Sequence, residues 1–382
     1  MKFAHLADCH LGGWSQPELN KLNFESFQYA VECSIKEKMD FVLIAGDLFD
    51  SAYPSIETLK QTFQEFRKLK EASIPVFLIA GSHDYSVSGK SFLDVLEKAG
   101  FCRNVAIFEE KDDKIILQPS FHKNVAIYGY SGKKSGLEVD ELSKIKLQDS
   151  PGLFRILMLH TTIKDAVPTL PIKSVNQESL PKVDYLALGH LHINYRKEKR
   201  AYSGPIFPNT LAELEELGGG SFYIFEDGNL SKREIKLKEV YVLNLEIKNT
   251  LNITDNIVSF LEKEDLKDKI VIIKLLGTIE KGRLSDINFK KIEETAKKRQ
   301  AYILLKSTIK LHFPESEIDI DSLKSEDIEQ EIMNRFQESN PSQFNSFVSS
   351  LIKSLQIEKL EDEKSSTFQE RLISETKKVL KI

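Results

Sequence analysis

"FVLIAGDLFD", residues 41–50, is an unbroken apolar run that ends in Gly-Asp. A run rich in Val, Ile and Leu, with no polar alternation, marks a strand covered on both faces. The same grammar recurs in "VFLIAGSHD" (76–84), "ILMLH" (156–160) and "VDYLALGHLH" (183–192), and with a less apolar body in "KFAHLADCH" (2–10). Amphipathic helices fall between some of these strands. "IETLKQTFQEFRKL" (56–69) sets Ile56, Leu59, Phe63, Phe66 and Leu69 at helical spacing. "SFLDVLEKAG" (91–100) opens on Ser91 and closes on Gly100, a cap pair. Strands alternating with helices predict a layered α/β core.

Each strand ends in side chains that carry chemistry: Asp8 and His10, Asp47, Ser82-His83-Asp84, His160, and His190 with His192. Five of the eight histidines lie there. Ligands of open α/β sheets sit outside the carboxyl ends of the strands. Residues two apart on an extended segment share a face. Asp8 is therefore expected to pair with His10, and His190 with His192, with Cys9 and Leu191 turned away and Cys9 a buried thiol. Carboxylates mixed with imidazoles suit Mn, Fe, Co or Zn better than Mg or Ca. Neighbouring imidazoles suit neighbouring ions, and Asp47 in its Gly-Asp turn is placed to bridge two of them about 3.5–4 Å apart. Taken singly, each ending reads as well as a hydrogen-bonded core residue, and that reading is kept for His5, His122 and His312. Five endings of one kind point jointly to a metal centre.

At 382 residues the chain is long enough for two or three domains. Its 41% hydrophobic and 29% charged content is that of a globular protein. No apolar run approaches the roughly 18–20 residues that cross a bilayer, and "MKFAHLAD" enters a strand pattern at once, so no signal peptide is expected. Three cysteines (Cys9, Cys33, Cys102) without a CxxC pair fit a reducing, cytoplasmic setting. The first domain is assigned to residues 1–239, closing with the turn, strand and turn of "ELGGGSFYIFEDGNL" (216–230). Residues 240–313 read as a small α+β unit of net charge +4, and 314–382 as an acidic linker and two amphipathic helices of net charge −6. One helix carries Phe344, Phe347, Val348, Leu351, Ile352 and Leu355, the other Phe368, Leu372, Ile373, Val379 and Leu380. With a whole-chain charge of −5, an anionic ligand needs locally focused positive potential.

The ordered set D-x-H, GD, G-[NS]-HD, H and GH-x-H resembles the calcineurin-like metallophosphoesterases, which implies a layered α/β sandwich core with a small α+β capping domain and C-terminal helices. Within that family, "HLADCHLG", "AGDLFD", "AGSHD", "LHTTI" and "LGHLH", spread over residues 5–192, look like the DNA-repair nuclease subfamily. That subfamily is named SbcD in bacteria and Mre-eleven (meiotic recombination eleven) in archaea and eukaryotes. The resemblance implies that Asp8, His10, Asp47 and His192 hold one divalent ion, and Asp47, Ser82, His160 and His190 a second, manganese (Mn2+) being the usual activator. It implies His83 as the catalytic histidine, with Asp84 orienting its ring. Where the family has Asn this chain has Ser82, a shorter and poorer donor, so the second ion is expected to be held more loosely.

The resemblance also implies a substrate, DNA, with 3′ to 5′ trimming of double-strand ends and endonuclease cuts in single strands. The 240–313 unit would cap the site, with Lys297, Lys298 and Arg299 available to phosphates. The C-terminal helices would dock on a coiled-coil ABC-type ATPase, SbcC or Rad-fifty. "DYSVSGKS" (84–91) has Asp84 where a phosphate loop needs its first glycine, so any ATP dependence is expected from that partner. A homodimer is implied through core helices that carry Leu59, Phe63, Leu96 and Phe101, and an intracellular location, at the nucleoid in a prokaryote. Two rival readings stand beside this one: a metallophosphoesterase for small phosphodiesters or phosphoproteins, and a DNA-end tether whose metal site has degenerated at Ser82.

Overall fold

A computed structural model of the chain describes residues 1–86, 91–133, 136–169, 171–312, 342, 345–357 and 365–380. Two six-stranded sheets form the centre. The first runs, edge to edge, Asn229–Ile235, Gly220–Glu226, Lys2–Leu6, Phe41–Ala45, Val76–Ile79 and Arg103–Asn104. The second runs Tyr195–Lys197, Arg200–Tyr202, Tyr185–Gly189, Phe154–His160, Val125–Tyr130 and Ser120–His122. Side chains alternate across each strand. Phe3, Phe41, Leu43, Phe77 and Ile79 meet Ile127, Ile156, Met158 and Tyr185 from the second sheet in one core. Ala4, Leu6, Val42, Ile44 and Leu78 turn the other way, onto Phe27, Phe66, Leu69 and Leu96 of the helices. The expected layered α/β architecture is thus a two-sheet sandwich with helices on its outer face, and that is why its strands are apolar throughout.

Register carries the strand ends to one side. Lys2–Leu6, Phe41–Ala45 and Val76–Ile79 are mutually parallel, with Leu6 opposite Ile44 and Ala45 opposite Ile79. In the other sheet Phe154–His160 and Tyr185–Gly189 are parallel, with His160 opposite Gly189. The hairpin read from residues 216–230 is present as antiparallel Gly220–Glu226 and Asn229–Ile235.

Helix Ile56–Glu71 starts where the Ser55 side chain accepts the Thr58 N–H, and buries Leu59, Phe66 and Leu69. Helix Phe92–Lys98 has the Ser91 N–H bonded to Asp94 and is followed by Gly100 at φ +71°. Of the residues considered for dimer contact, Leu59 and Leu96 lie in the core, while Phe63 and Phe101 are partly buried and meet edge to face at 5.5 Å. The first pair faces its own sheet, since its spacing follows the helix stripe that the strands cover.

Residues Met1–Gly277 and Lys281–Leu311 make one compact unit, so the boundary expected at 239/240 falls inside it. Val240–Glu246, Ile270–Thr278 and Ile303–His312 form a three-stranded sheet, with helices Ile253–Lys263 and Phe289–Lys298. Ile270, Ile272 and Leu305 share a core with Leu19, Leu22, Phe207 and Leu214. Lys297, Lys298 and Arg299 are exposed, the Arg299 guanidinium donating to the Glu264 carbonyl. The second unit, Thr278–Glu280 and His312–Ile382, contains helices Asn345–Leu355 and Ser365–Leu380 packed on each other. On their stripes Phe347, Val348, Leu351, Phe368 and Leu372 are half-buried, whereas Ile352, Leu355 and Ile373 are exposed. Phe344, the linker after Pro314 and residues 87–90, which include the whole "SGK" of the 84–91 stretch, lie outside the described residues. No helix among the described residues is long and apolar enough to cross a membrane.

Candidate metal centre

The strands stop short of the chemistry. Lys2–Leu6 ends before Asp8, and Asp8 and His10 then take left-handed backbone angles, φ +51° and +43°. Asp47 (φ +51°) and His190 (φ +97°) do the same. The expectation that Asp8 and His10, or His190 and His192, share the face of an extended segment is therefore corrected: the backbone turns at these residues and aims their side chains inward. Backbone bonds pin the turns, Asp8 N–H to the Gly46 carbonyl (3.1 Å) and His10 N–H to that of Asp47 (2.9 Å). The His190 N–H reaches the Asp8 carboxylate at 2.8 Å. Cys9 is fully buried, as expected of a thiol turned away.

The structure brings Asp8, His10, Asp47, His160, His190 and His192 together. Donor atoms of Asp8, His10 and His192 lie within 4.8 Å of one another, as do those of Asp8, Asp47 and His160. His160 donates Nδ1–H to the Ala45 carbonyl (2.9 Å), which leaves Nε2 facing Asp47 Oδ2 at 3.1 Å. His10 Nε2 lies 3.0 Å from His192 Nε2 and 3.7 Å from Asp47 Oδ2. The His160 and His190 rings meet at 5.1 Å. Gly189 makes the close approach possible, since a Cβ there would stand 2.0 Å from the Ala45 carbonyl oxygen.

Ser82 is at the edge of this group, its hydroxyl donating a long 3.4 Å bond to Asp47 Oδ2. His83 is exposed, its ring 4.7 Å from that of His10. The expected contact from Asp84 to that ring is absent. The buried Asp84 carboxylate accepts the backbone N–H groups of Phe49 (2.9 Å), Leu48 and Gly81 (both 3.1 Å), lacing two loops together. The reciprocal bond runs from the His83 N–H to Asp47 Oδ1 at 2.8 Å.

Three partners escaped the sequence reading. Asp50 holds two rings: its carboxylate is 3.1 Å from His10 Nδ1, and its carbonyl accepts His83 Nδ1–H at 2.9 Å. Glu213 Oε2 lies 3.0 Å from His192 Nδ1. Asn209 donates to Asp50 Oδ1 at 3.1 Å. Asp50 is the last letter of "AGDLFD", and Thr210-x-x-Glu213 is a capping-box pattern, so both signals were visible without their targets. Of the histidines read as core residues, His5 is buried on the Tyr185 hydroxyl (2.9 Å) and His122 packs on Phe41 and Phe77. His312 is exposed, contrary to expectation, because it ends an edge strand.

The electrostatics suit a cation. Burial works to raise the Asp47 carboxyl, but the His160 and His10 rings beside it hold it well below the usual carboxylate range. Burial pulls His160 down, yet the Asp47 and Asp8 carboxylates lift it to about 10. Burial, with His160 beside it, drops His190 to about 4. Asp8 Oδ2 is buried without a hydrogen-bond partner. Buried polar atoms rarely stay unpaired, so an orphan oxygen aimed into a carboxylate–imidazole cluster is what a bound divalent ion would satisfy. The residues present therefore fit a metal.

The sequence profile of the calcineurin-like phosphoesterases matches residues 1–194, all six converging donors included. The chain belongs to this calcineurin-like phosphoesterase family. It is similar to the DNA double-strand break repair protein Mre11 of Methanocaldococcus jannaschii, 29% identical over 272 residues that cover 66% of this chain and 71% of that protein. The protein of the same description from Archaeoglobus fulgidus is 26% identical over 324 residues, 76% of this chain and 72% of the relative. The uncharacterized metallophosphoesterase YhaO of Bacillus subtilis is 29% identical over 245 residues, 59% and 57% of the two chains. Family membership makes the centre that of a phosphoester hydrolase. Asn209 and Glu213 lie beyond the matched region, and Asp50 lies within it.

Proposed function

We propose that this phosphoesterase is a DNA double-strand-break repair nuclease that hydrolyses DNA phosphodiesters with two divalent ions, manganese in the first instance. The observation that carries the reading is the exposed His83 ring at the rim of an otherwise buried donor cluster. The relatives named for double-strand break repair supply the substrate class. Asp8, His10, Asp47 and His192 hold one ion, and Asp47, His160 and His190 hold the other with Ser82 at its edge. Bound there, the pair of ions supplies an activated water and neutralises charge on the phosphate.

The chain's own residues do the rest. A carbonyl oxygen only accepts, so the bond to Asp50 fixes the proton of His83 on Nδ1 and turns Nε2 outward. Nε2 donates to the departing sugar oxygen only when the ring carries a second proton there, as imidazolium; passing that proton leaves the neutral Nδ1–H ring bonded to Asp50, a contribution of roughly 10²–10⁴ in rate for a positioned acid. Asp84 holds the loop that carries His83 and so acts on the reaction through the backbone. By family resemblance the cuts are 3′ to 5′ on duplex ends and internal on single strands, inside the cell. The same resemblance gives a homodimer, and C-terminal helices that bind a coiled-coil ABC ATPase.

The test compares linear duplex DNA with a generic aryl phosphodiester, with and without Mn2+. Metal-dependent DNA cutting in wild type, reduced about 10²–10⁴-fold in His83→Ala with Mn2+ affinity retained, is the expected result. Turnover of the aryl ester alone favours the small-substrate reading, and DNA binding without any cutting favours the tether.

A further inference from the structure

The turn after the second sheet reaches both sides of the centre. Trp14 Nε1–H anchors it by donating to the Pro208 carbonyl at 2.8 Å. Within it, the Glu213 N–H bonds the Thr210 hydroxyl at 3.2 Å and Glu213 Oε2 accepts the Asn209 N–H at 2.9 Å. The same Oε2 faces His192 Nδ1, and the Asn209 amide fixes the Asp50 carboxylate that faces His10 Nδ1. A carboxylate offers no proton, so each imidazole carries one on Nδ1 and turns Nε2 towards the centre. Those two Nε2 atoms stand 3.0 Å apart. A cation held by both Nε2 lone pairs would replace that contact. His10 and His192 lie 182 residues apart in sequence, yet one six-residue turn sets the tautomer and aim of both.

We propose that Asn209 and Glu213 are positioning residues that set the tautomer of His10 and His192, and so tune the affinity of one cation position without touching the other. This rests on the two-ion reading above. Among the described residues no hydrogen bond or ion pair joins Asp47, His160 or His190 to the turn, and His160 takes its orientation from the Ala45 carbonyl instead. Partners of this kind are typically worth 10–100-fold in metal affinity.

The experiment is Mn2+ titration calorimetry on the full chain, with ring-nitrogen NMR of the metal-free protein. Glu213→Ala is expected to weaken one of two Mn2+ steps by about 10–100-fold and leave the other unchanged. Its His192 ring should lose the pure Nδ1–H form. Glu213→Gln, which keeps an acceptor oxygen, should restore both. Asn209→Ala should weaken the same step and no second one. Ser55→Ala removes the cap of helix Ile56–Glu71, away from the turn, so it should lower the Tm and leave both steps at wild-type strength. The proposal is overturned if Glu213→Ala leaves both steps and the tautomer unchanged, or if Ser55→Ala weakens binding as much. A wild type that takes up fewer than two ions overturns the two-ion reading itself, and this inference with it.

Discussion

Asp84 separates two accounts of one motif. The family resemblance implied a carboxylate that steers His83, and the structure shows one that ties loop 47–50 to loop 81–84 through three backbone N–H groups. Asp84→Ala leaves those donors in a site with 1% exposure. An unsatisfied buried donor costs about 1–3 kcal/mol, so the sum is about 3–9 kcal/mol. One water entering the space of the carboxylate and accepting two of the three bonds brings the loss to the low end. A domain is stable by only about 5–15 kcal/mol, so this variant stands near the edge of folding. Asp84→Asn keeps one oxygen for two of the donors and turns an NH2 towards the third, for a loss of about 1–3 kcal/mol. His83→Ala removes a ring that is 46% exposed and should cost under about 1 kcal/mol. Urea unfolding of the metal-free protein reads all three, with the expected order Asp84→Ala, then Asp84→Asn, then His83→Ala. If Asp84→Ala unfolds at the wild-type urea midpoint while DNA cutting collapses, the loop-pinning account is wrong and the carboxylate acts on the reaction directly.

Ser82→Asn should tighten the weaker of the two Mn2+ steps in calorimetry, because an amide oxygen reaches farther than a hydroxyl now bonded at 3.4 Å to Asp47; two unchanged steps would count against Ser82 facing the ion. Mn2+ uptake should release protons and tighten as pH rises towards 10, because His160, lifted to about 10, is protonated at neutral pH and a ligand must be bare. Titrations in buffers of different ionisation heat read that release directly. Burial lowers His5 to about 3 against about 6.5 in the unfolded chain, so the unfolded state binds the extra proton between those values. Stability should accordingly fall as pH drops from 6.5 towards 3, by up to about 4 kcal/mol, and His5→Gln should flatten that part of the acid-unfolding curve.

Side chains with their own chemical signature were legible, and side chains that act on them were not. Asp8, His10, Asp47, His160, His190 and His192 stand out because a buried apolar strand has no reason to end in imidazole or carboxylate. Asp50 and Glu213 are ordinary surface-type acids in sequence, and their histidine targets lie 40 and 21 residues away. A capping pattern predicts that Glu213 starts a helix, and says nothing of which ring its second lone pair will meet. The role of Asp84 came from the resemblance alone, and its carboxylate instead accepts three backbone N–H groups. The layered sheets were readable from apolar runs, but that one sheet packs on another in a sandwich came from the family resemblance, since a covered face looks the same under a helix or a second sheet. His312 illustrates the converse: an edge strand leaves exposed a residue that composition alone would bury.

The backbone at the centre departs most from the extended geometry that sequence periodicity assumes, and that departure has a physical reason. Extended donors two residues apart would stand about 6.6 Å from each other and point in parallel. Turning Asp8, His10 and Asp47 into the left-handed region makes their side chains converge, at a cost of order 1–3 kcal/mol for each strained residue. Asp and His tolerate this region better than most, which eases Asp8, Asp47 and His10, but His190 at φ +97° lies beyond it. Bonds from Asp8 to Gly46, from His10 to Asp47 and from His190 to Asp8 keep the turns in place, so the strain is held by the same residues that it aims. Without a cation, the fold carries this strain together with the unpaired Asp8 Oδ2 and two imidazole nitrogens in close approach. Ion binding would satisfy both, and a ligand that binds only the folded state adds its binding free energy to stability. The centre is thus shaped so that affinity for the ion and stability of the surrounding loops rise and fall together.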